Sequence, residues 1–394
     1  MRIAYIYPAL TTVGGADRVI VNKANYFADV CGYEVYIITA HQNGQPSFFP
    51  LSDKVKHLDL AVNFNEQYRH SFFVRGFIYF KLLRIYKRKL SDLLKELKAD
   101  FVLTTISRDI DFLHSIQDGS IKIAEAHVAK DFIRNFHLLK KKSLLYKIIG
   151  NIWTKRLEHA IKKFSAFVVL TRRDADAWSN IRQAVVIPNS IPFWPEQPSL
   201  CTNKKIISVG RLNEQKGFER LIEAWSYIAC QHSDWKLYIY GNGELESFLK
   251  KFIQDKNVSD SLFIINPVKN IIDKYLESSI YIMSSRFEGF GMVLVEAMTC
   301  GLPVIAFDCP HGPAELITEG EDGFLVENGN IQQLAEKISY LIDNENIRIT
   351  MGQKARENIK RFGQDQIMQK WIDLFLFLKK NNDSSHSIGR GFSS

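Results

Sequence analysis

The chain has 394 residues, 46% of them hydrophobic and 24% charged; this composition excludes a disordered or fibrous protein, and the length calls for two cores of ordinary domain size. Lys and Arg outnumber Asp and Glu by 51 to 43, and the excess sits in one half: residues 1–190 hold 29 basic and 17 acidic side chains, net +12, whereas residues 191–394 hold 22 and 26, net −4. The five cysteines, Cys31, Cys201, Cys230, Cys300 and Cys309, are odd in number and lack CxxC spacing, which argues against a disulfide framework or a structural zinc site and fits a reducing cytoplasm.

Such a charge asymmetry points to a polyanionic surface near the first half, either membrane or nucleic acid. The chain opens directly on a strand, with no charged segment and apolar run ahead of it, so no signal peptide is expected. No window reaches the roughly eighteen uninterrupted apolar residues of a membrane span.

Arg2–Tyr7 reads as a strand, Pro8–Thr12 as a loop, and the turn at Gly14 and Gly15 leads into a helix ending near Ala28. A strand, a glycine turn and a helix N-terminus make a phosphate-sized cradle. It lacks the GxGxxG spacing of a nicotinamide site, and no such cofactor is expected. Further strands are expected at Glu34–Thr39, Phe101–Thr105 and Ile121–Ala124, and their alternation with helices predicts a doubly wound parallel sheet. Between them, Tyr79, Leu83, Tyr86, Leu90, Leu94 and Leu97 make one helical stripe within Phe72–Lys98, with Lys81, Arg84, Arg88 and Lys95 mostly opposite. A second basic and apolar stretch runs from Lys140 to Lys163. Two such stretches suit either a surface helix packed on the sheet or a patch that meets an anionic membrane.

His127 follows the Ile121–Ala124 strand, at the carboxyl end where open α/β sheets bind ligands. Ala166–Leu170 is the next strand, and Val185–Pro188 with Asn189 closes the first domain. Asp109-Ile110-Asp111 and Asp174-Ala175-Asp176 are DxD triplets of the kind that hold a divalent metal elsewhere. Here the first looks like an ordinary loop and the second a helix start, so no metal is expected. Pro192–Asn203, with three prolines, reads as a linker.

Lys205–Val209 begins a second sheet. Gly210-Arg211-Leu212-Asn213-Glu214-Gln215-Lys216-Gly217 follows at its end, then a helix from Phe218. Arg211 offers a planar fork of donors and Lys216 a point charge, both suited to phosphate. Lys236–Tyr240 is followed by Gly241 and Gly243, a turn open to close backbone approach. Leu262–Asn266 and Ile280–Met283 supply two more strands, and Pro267 and Val268 stand at a strand end. Ser284–Gly312 then reads as loop, helix, strand and loop. Glu288 precedes Gly289-Phe290-Gly291; Met292–Cys300 is a buried helix stopped at Gly301-Leu302-Pro303; Val304–Phe307 is a buried strand. Eight positions apart, Glu288 and Glu296 would stand roughly 10–12 Å apart along one helix, too far for a glycosidase pair on one bond but able to grip two ends of an elongated ligand. Ile331–Asp343 reads as a helix, Phe362–Leu378 as a last apolar helix, and the Ser/Asn/Gly-rich tail from 380 as disordered.

The block EGFGMVLVEAMTCGLPVIA, with GRLNEQKG and VIPNS ahead of it, resembles family 4 glycosyltransferases, retaining enzymes of the GT-B fold. The resemblance covers the whole chain, most strongly Val186–Val326. It implies two Rossmann-like parallel-sheet domains facing across a cleft: residues 1–190 on the acceptor side, a linker at 191–203, a nucleotide-sugar domain at 204–361, and a helix at 362–379 crossing back. It implies that Arg211 and Lys216 hold the donor diphosphate, that Glu288 borders the donor sugar, and that Glu296 binds the ribose. Gly14, Gly15, Gly210, Gly241, Gly243, Gly289, Phe290 and Gly291 would line the donor, Val268 would meet the base through its backbone, and His127 would face the sugar. Relatives place an acidic residue directly before this His; here Ala126 stands there and Glu125 one position further back.

The expected function is a cytoplasmic, metal-independent, retaining transfer of a hexose-type sugar from a nucleotide-sugar, with UDP-sugar favoured. The expected acceptor is a glycan or lipid-linked glycan in polysaccharide synthesis, met at an anionic membrane surface and without nucleic acid. Two rivals are a non-catalytic nucleotide-sugar binder and a basic nucleic-acid-binding protein, the latter needing base-stacking aromatics among its cations.

Overall fold

A computed structural model describes residues 1–11, 14–135 and 144–389. The chain divides into two compact units, one of Met1–Leu170, Asp174–Pro188 and Ile367–Ser394, the other of Thr171–Arg173 and Asn189–Gln366.

The first unit is built on a seven-stranded sheet in the order β3-β2-β1-β4-β5-β6-β7. Its strands are β1 Arg2–Tyr7, β2 Glu34–Thr39, β3 Val55–Asp59, β4 Phe101–Thr105, β5 Ile121–Glu125, β6 Ala166–Val169 and β7 Ala184–Val186, all paired in parallel. Ile3 pairs with Val35 on one side and Phe101 on the other, so β1 is the strand from which the order reverses. β2, β4, β5 and β6 are buried along nearly their whole length, which explains their unbroken apolar runs. β3 escapes sequence reading because it is an edge strand, VKHLD, with only Val55 buried.

Helix α1, Gly15–Asp29, leaves β1, and α2, Phe72–Leu97, leads to β4. The stripe on α2 packs as its spacing predicts: Tyr86, Leu90 and Leu94 are buried, with Tyr79, Leu83 and Leu97 partly buried against the same core. Lys81, Arg84, Arg88 and Lys95 are exposed. Helix α3 spans Leu144–Ile161; Lys140, Lys141 and Lys142 lie outside the described residues. The last helix, Gln364–Gly389, belongs to this unit from Ile367 onward; its Phe375 packs 5.6 Å from Phe27 and 4.5 Å from Phe101 between ring centroids. It continues to Gly389, into the stretch that composition alone reads as disordered, because a helix nucleated on a core gains one hydrogen bond per added residue.

The second unit has a six-stranded parallel sheet, β10-β9-β8-β11-β12-β13. These strands are β8 Lys205–Val209, β9 Lys236–Tyr240, β10 Leu262–Ile265, β11 Ile280–Met283, β12 Val304–Phe307 and β13 Gly323–Val326. The order reverses at β8, between β9 and β11. A helix at Glu345–Asn358 has no apolar stripe to announce it; its buried Arg348 donates to the carbonyls of Cys201, Leu341 and Ile342. Among the described residues no helix is long and apolar enough to cross a membrane.

Candidate functional site

In the second unit, the segments carrying the sequence-predicted residues all leave the carboxyl ends of neighbouring parallel strands. Gly210 follows β8, Gly241 follows β9, Val268 lies beyond β10, Glu288 beyond β11, and Gly312 beyond β12. One edge of one sheet therefore gathers them, as expected at a switch point. The backbones there are in close contact. A Cβ on Gly241 would fall 1.9 Å from the Gly210 carbonyl oxygen, and one on Gly243 would fall 2.5 Å from that of Leu212. Only glycine permits both approaches.

Lys216 ends the short 3-10 turn Glu214–Lys216, whose backbone N–H is capped by the Asn213 side chain at 3.3 Å. Its aliphatic stem lies over Gly210, where an added Cβ would be 3.1 Å from three of its carbons. The ammonium then reaches Glu288, Nζ to Oε1 at 2.6 Å, and Ser285 donates to the same oxygen at 2.6 Å. Lys216 and Glu288 expose 16% and 8% of their side chains, so this ion pair is largely withdrawn from solvent. Arg211 is exposed, and its guanidinium makes no side-chain hydrogen bond or ion pair among the described residues. The edge thus offers one unengaged cation and one engaged with a carboxylate.

The two glutamates do not share a helix. Helix Met292–Thr299 begins after Gly291, which takes φ +95°, so Glu296 lies one turn inside and Glu288 stands four residues before it. Glu288 is held instead by an isolated β-bridge to His311. The 10–12 Å helical spacing is therefore replaced by two independent anchorages, because the glycine pair breaks the helix at Gly291. Glu296 is 7% exposed and accepts from the Tyr275 hydroxyl at 3.0 Å. Burial, reinforced by Glu296, raises the Tyr275 phenol well above its ordinary value, so it stays a donor. Phe290 is buried, 5.5 Å from Phe362 between centroids; Gly289 is half-buried and Val268 exposed. Burial pushes the nearby Cys309 thiol up, as does the Glu288 charge.

The first unit carries Gly14, Gly15 and His127. Gly14 is the N-cap of α1 and Gly15 its first residue; in the first turn Asp17 accepts from the Tyr7 hydroxyl at 2.7 Å. His127 does have a carboxylate partner: Nε2 lies 3.1 Å from Glu125 Oε2, the last residue of β5. The same oxygen of Glu125 receives the buried ammonium of Lys23, from α1, at 2.6 Å. Lys23 is missed by sequence reading, since a lysine in an amphipathic helix ordinarily faces water.

The DxD triplets have local partners. Asp109 is fully buried and accepts from Thr104, Ser107 and Tyr86; burial raises its carboxyl above the usual range. Asp174 accepts from the Lys130 backbone N–H at 3.0 Å. A depression of about 520 Å³ lined by Lys95, Lys98, Asp100 and Lys379 opens at the amino-terminal ends of β4 and β5, the opposite end of that sheet from His127.

Residues 191–358 match the family model described as Glycosyl transferases group 1. An uncharacterized glycosyltransferase of Haemophilus influenzae is 28% identical over 379 residues, covering 94% of this chain and 98% of that protein. The amylovoran biosynthesis glycosyltransferase AmsD of Erwinia amylovora is 34% identical over 233 residues, which is 55% of this chain and 65% of that relative. Among solved structures, TarM is similar with a TM-score of 0.78 at 17% identity, covering 95% of this chain and 98% of that one. A mutant of S. aureus TarM in complex with Fondaparinux, alpha-GlcNAc-glycerol and UDP gives 0.76 at 17% identity, covering 95% and 99%. At that identity the likeness establishes the fold, GT-B. Residues 191–358 thus carry the group 1 match, and the whole chain carries the GT-B fold.

Proposed function

We propose that the chain is a retaining, metal-independent glycosyltransferase that moves a hexose-type sugar from a nucleotide-sugar, with UDP-sugar favoured, to a glycan or lipid-linked glycan acceptor in polysaccharide synthesis. The observation that carries the reading is the Lys216–Glu288 pair beside an unengaged Arg211, set on a glycine-lined sheet edge. An arriving diphosphate competes for the Lys216 ammonium, and release of Glu288 frees its carboxylate to accept from sugar hydroxyls. The difficult step is departure of the nucleoside diphosphate. The anomeric carbon–oxygen bond breaks, the acceptor oxygen bonds to the same face, and the acceptor proton passes to the departing phosphate oxygen. Fixed cations and N–H dipoles aimed at that oxygen lower the barrier without a metal. UDP in the mutant TarM complex supports the choice of base.

Thermal unfolding against a panel of UDP-, GDP- and ADP-sugars in EDTA tests this. A donor at 100 times its dissociation constant stabilises by about 2.7 kcal/mol. A panel without any shift, or binding that requires added Mn²⁺, would count against the reading.

The glutamates divide the donor between them. Glu296→Ala is expected to weaken binding of bare UDP by about 1.5–3 kcal/mol, the worth of a charged hydrogen bond. Glu288→Ala is expected to leave UDP affinity intact or higher, since Lys216 loses its competitor, while sugar transfer falls. Calorimetry on both variants checks this, and equal losses of UDP affinity would refute the division.

We further propose a cytoplasmic protein peripheral on an anionic membrane face, through the first unit. Phe77 and Phe80 of α2 are 74% and 64% exposed, and Lys81, Arg84 and Arg88 are exposed with them. Ile152 and Trp153 of α3 are likewise open. Each basic residue near such a surface contributes about 1 kcal/mol. Flotation with liposomes is expected to need anionic lipid, to weaken with salt, and to drop in Arg84→Glu/Arg88→Glu; equal flotation with neutral lipid would sink the idea.

A further inference from the structure

Three side chains far apart in sequence form one buried polar line in the first unit. Lys23 of α1, Glu125 of β5 and His127 expose 3%, 4% and 8% of their side chains. Glu125 Oε2 receives both the ammonium at 2.6 Å and the imidazole Nε2 at 3.1 Å. The ammonium has no room to leave: it sits 4.0 Å from the centroid of Trp371 and 5.4 Å from that of Tyr5. Aromatic faces hold a desolvated cation well, and Trp best. Two further polar atoms of the cluster, Glu125 Oε1 and His127 Nδ1, are buried without a hydrogen-bond partner. Buried polar atoms left unpaired are costly, and a polar ligand that reached this pair would relieve the cost.

We propose that Lys23, clamped by Trp371 and Tyr5, is a positioning residue for sugar transfer: it anchors the Glu125 carboxylate, which in turn fixes the His127 ring with Nε2–H donating and Nδ1 turned to the ligand. The inference rests on the reading of His127 as the residue that meets the donor sugar. A carboxylate accepts only, so the shared oxygen dictates which ring nitrogen carries the proton. Burial by itself would push Glu125 towards its neutral form; the Lys23 charge and the His127 hydrogen bond outweigh it and leave the carboxyl below its usual range. Burial lowers the Lys23 ammonium, against the pull of Glu125. Without Lys23, the buried Glu125 carboxylate would lose the cation that fixes its place, shift towards its neutral form, and cease to specify the ring. A purely structural ion pair would show none of this selectivity, because replacing both partners by neutral groups would restore whatever it did.

The test uses the full chain with Lys23→Met, Lys23→Arg and the double variant Lys23→Met/Glu125→Gln, which removes both charges and guards against a single variant that fails to fold. The first readout is the ring ¹⁵N spectrum of His127 in the ligand-free protein. Wild type is expected to show one tautomer, protonated at Nε2; Lys23→Met and the double variant are expected to show a mixture, and Lys23→Arg to restore the single form. The second readout is transfer kinetics with the donor that the thermal panel identifies. Turnover is expected to fall roughly 10–100-fold in Lys23→Met and in the double variant with donor KM within about twofold, the pattern of a misplaced group rather than a lost binding contact. An unchanged His127 spectrum in Lys23→Met, or a double variant with full turnover, overturns the proposal. If no nucleotide-sugar is turned over by any form, the functional reading fails, while the ring spectrum still decides whether Lys23 positions His127.

Discussion

Arg211→Ala and Lys216→Ala are each expected to lower turnover by roughly 10²–10³-fold, the usual effect of removing one preorganised donor from a developing oxyanion. Ground-state affinity for the nucleotide should fall less, by about 1.5–3 kcal/mol, because the phosphate oxygen carries more charge as it departs than before. The two variants should differ in stability. Arg211 is exposed and its guanidinium makes no hydrogen bond or ion pair among the described residues, so its loss should change unfolding by no more than about 0.5 kcal/mol. Lys216→Ala leaves the largely buried Glu288 carboxylate without its cation, a loss of up to about 3–5 kcal/mol for a buried pair. Lys216→Met/Glu288→Gln, which removes both charges, should regain most of that stability without regaining turnover. Steady-state kinetics beside thermal melts check the set, and unchanged turnover in both single variants would remove the phosphate assignment.

Gly241→Ala is expected to be the most damaging small change in the second unit. The new methyl group would lie 1.9 Å from the Gly210 carbonyl oxygen, and the neighbour is backbone rather than the end of a side chain that can swing away. The ends of β8 and β9 would have to part, breaking the Gly210 N–H to Tyr240 carbonyl bond of 3.0 Å. A loss of about 3 kcal/mol or more is expected, together with UDP binding. In a unit of this size that lowers Tm by roughly 6–12 °C. Gly76→Ala is the contrast: nothing lies within 4 Å of its added Cβ, on an exposed turn of α2. There alanine should stabilise by about 0.5–1 kcal/mol. Equal Tm values for the two variants would contradict the close-packed picture of the sheet edge.

The strands that carry the site were legible because parallel strands buried on both faces must be apolar throughout, and glycine turns at their ends mark where the backbone is approached closely. That reasoning placed Gly210, Gly241 and Gly243 at strand ends, and Gly291 at the start of a helix, without any knowledge of packing. Local periodicity likewise separated the buried and exposed faces of α2. The edge strand Val55–Asp59 and the helix Glu345–Asn358 were not legible, since neither keeps an apolar pattern when one face is water or when an arginine supplies the burial.

The partners of the charged residues were decided by tertiary structure alone. Lys216 and Glu288 are 72 positions apart, and Lys23 and Glu125 are 102 apart. Propensity and spacing act over a helical turn or a strand, whereas an ion pair across a sheet edge depends on crossover lengths and on which strands become neighbours. The sequence by itself determined the buried strands, the glycine turns and the chemical types of the residues at the strand ends. Folding decided that Glu288 stands outside the helix that holds Glu296, because the positive φ of Gly291 ends the helical path there. It also decided that a lysine with the sequence context of a surface residue is buried under Trp371 and turned on Glu125, because the last helix returns to cover α1.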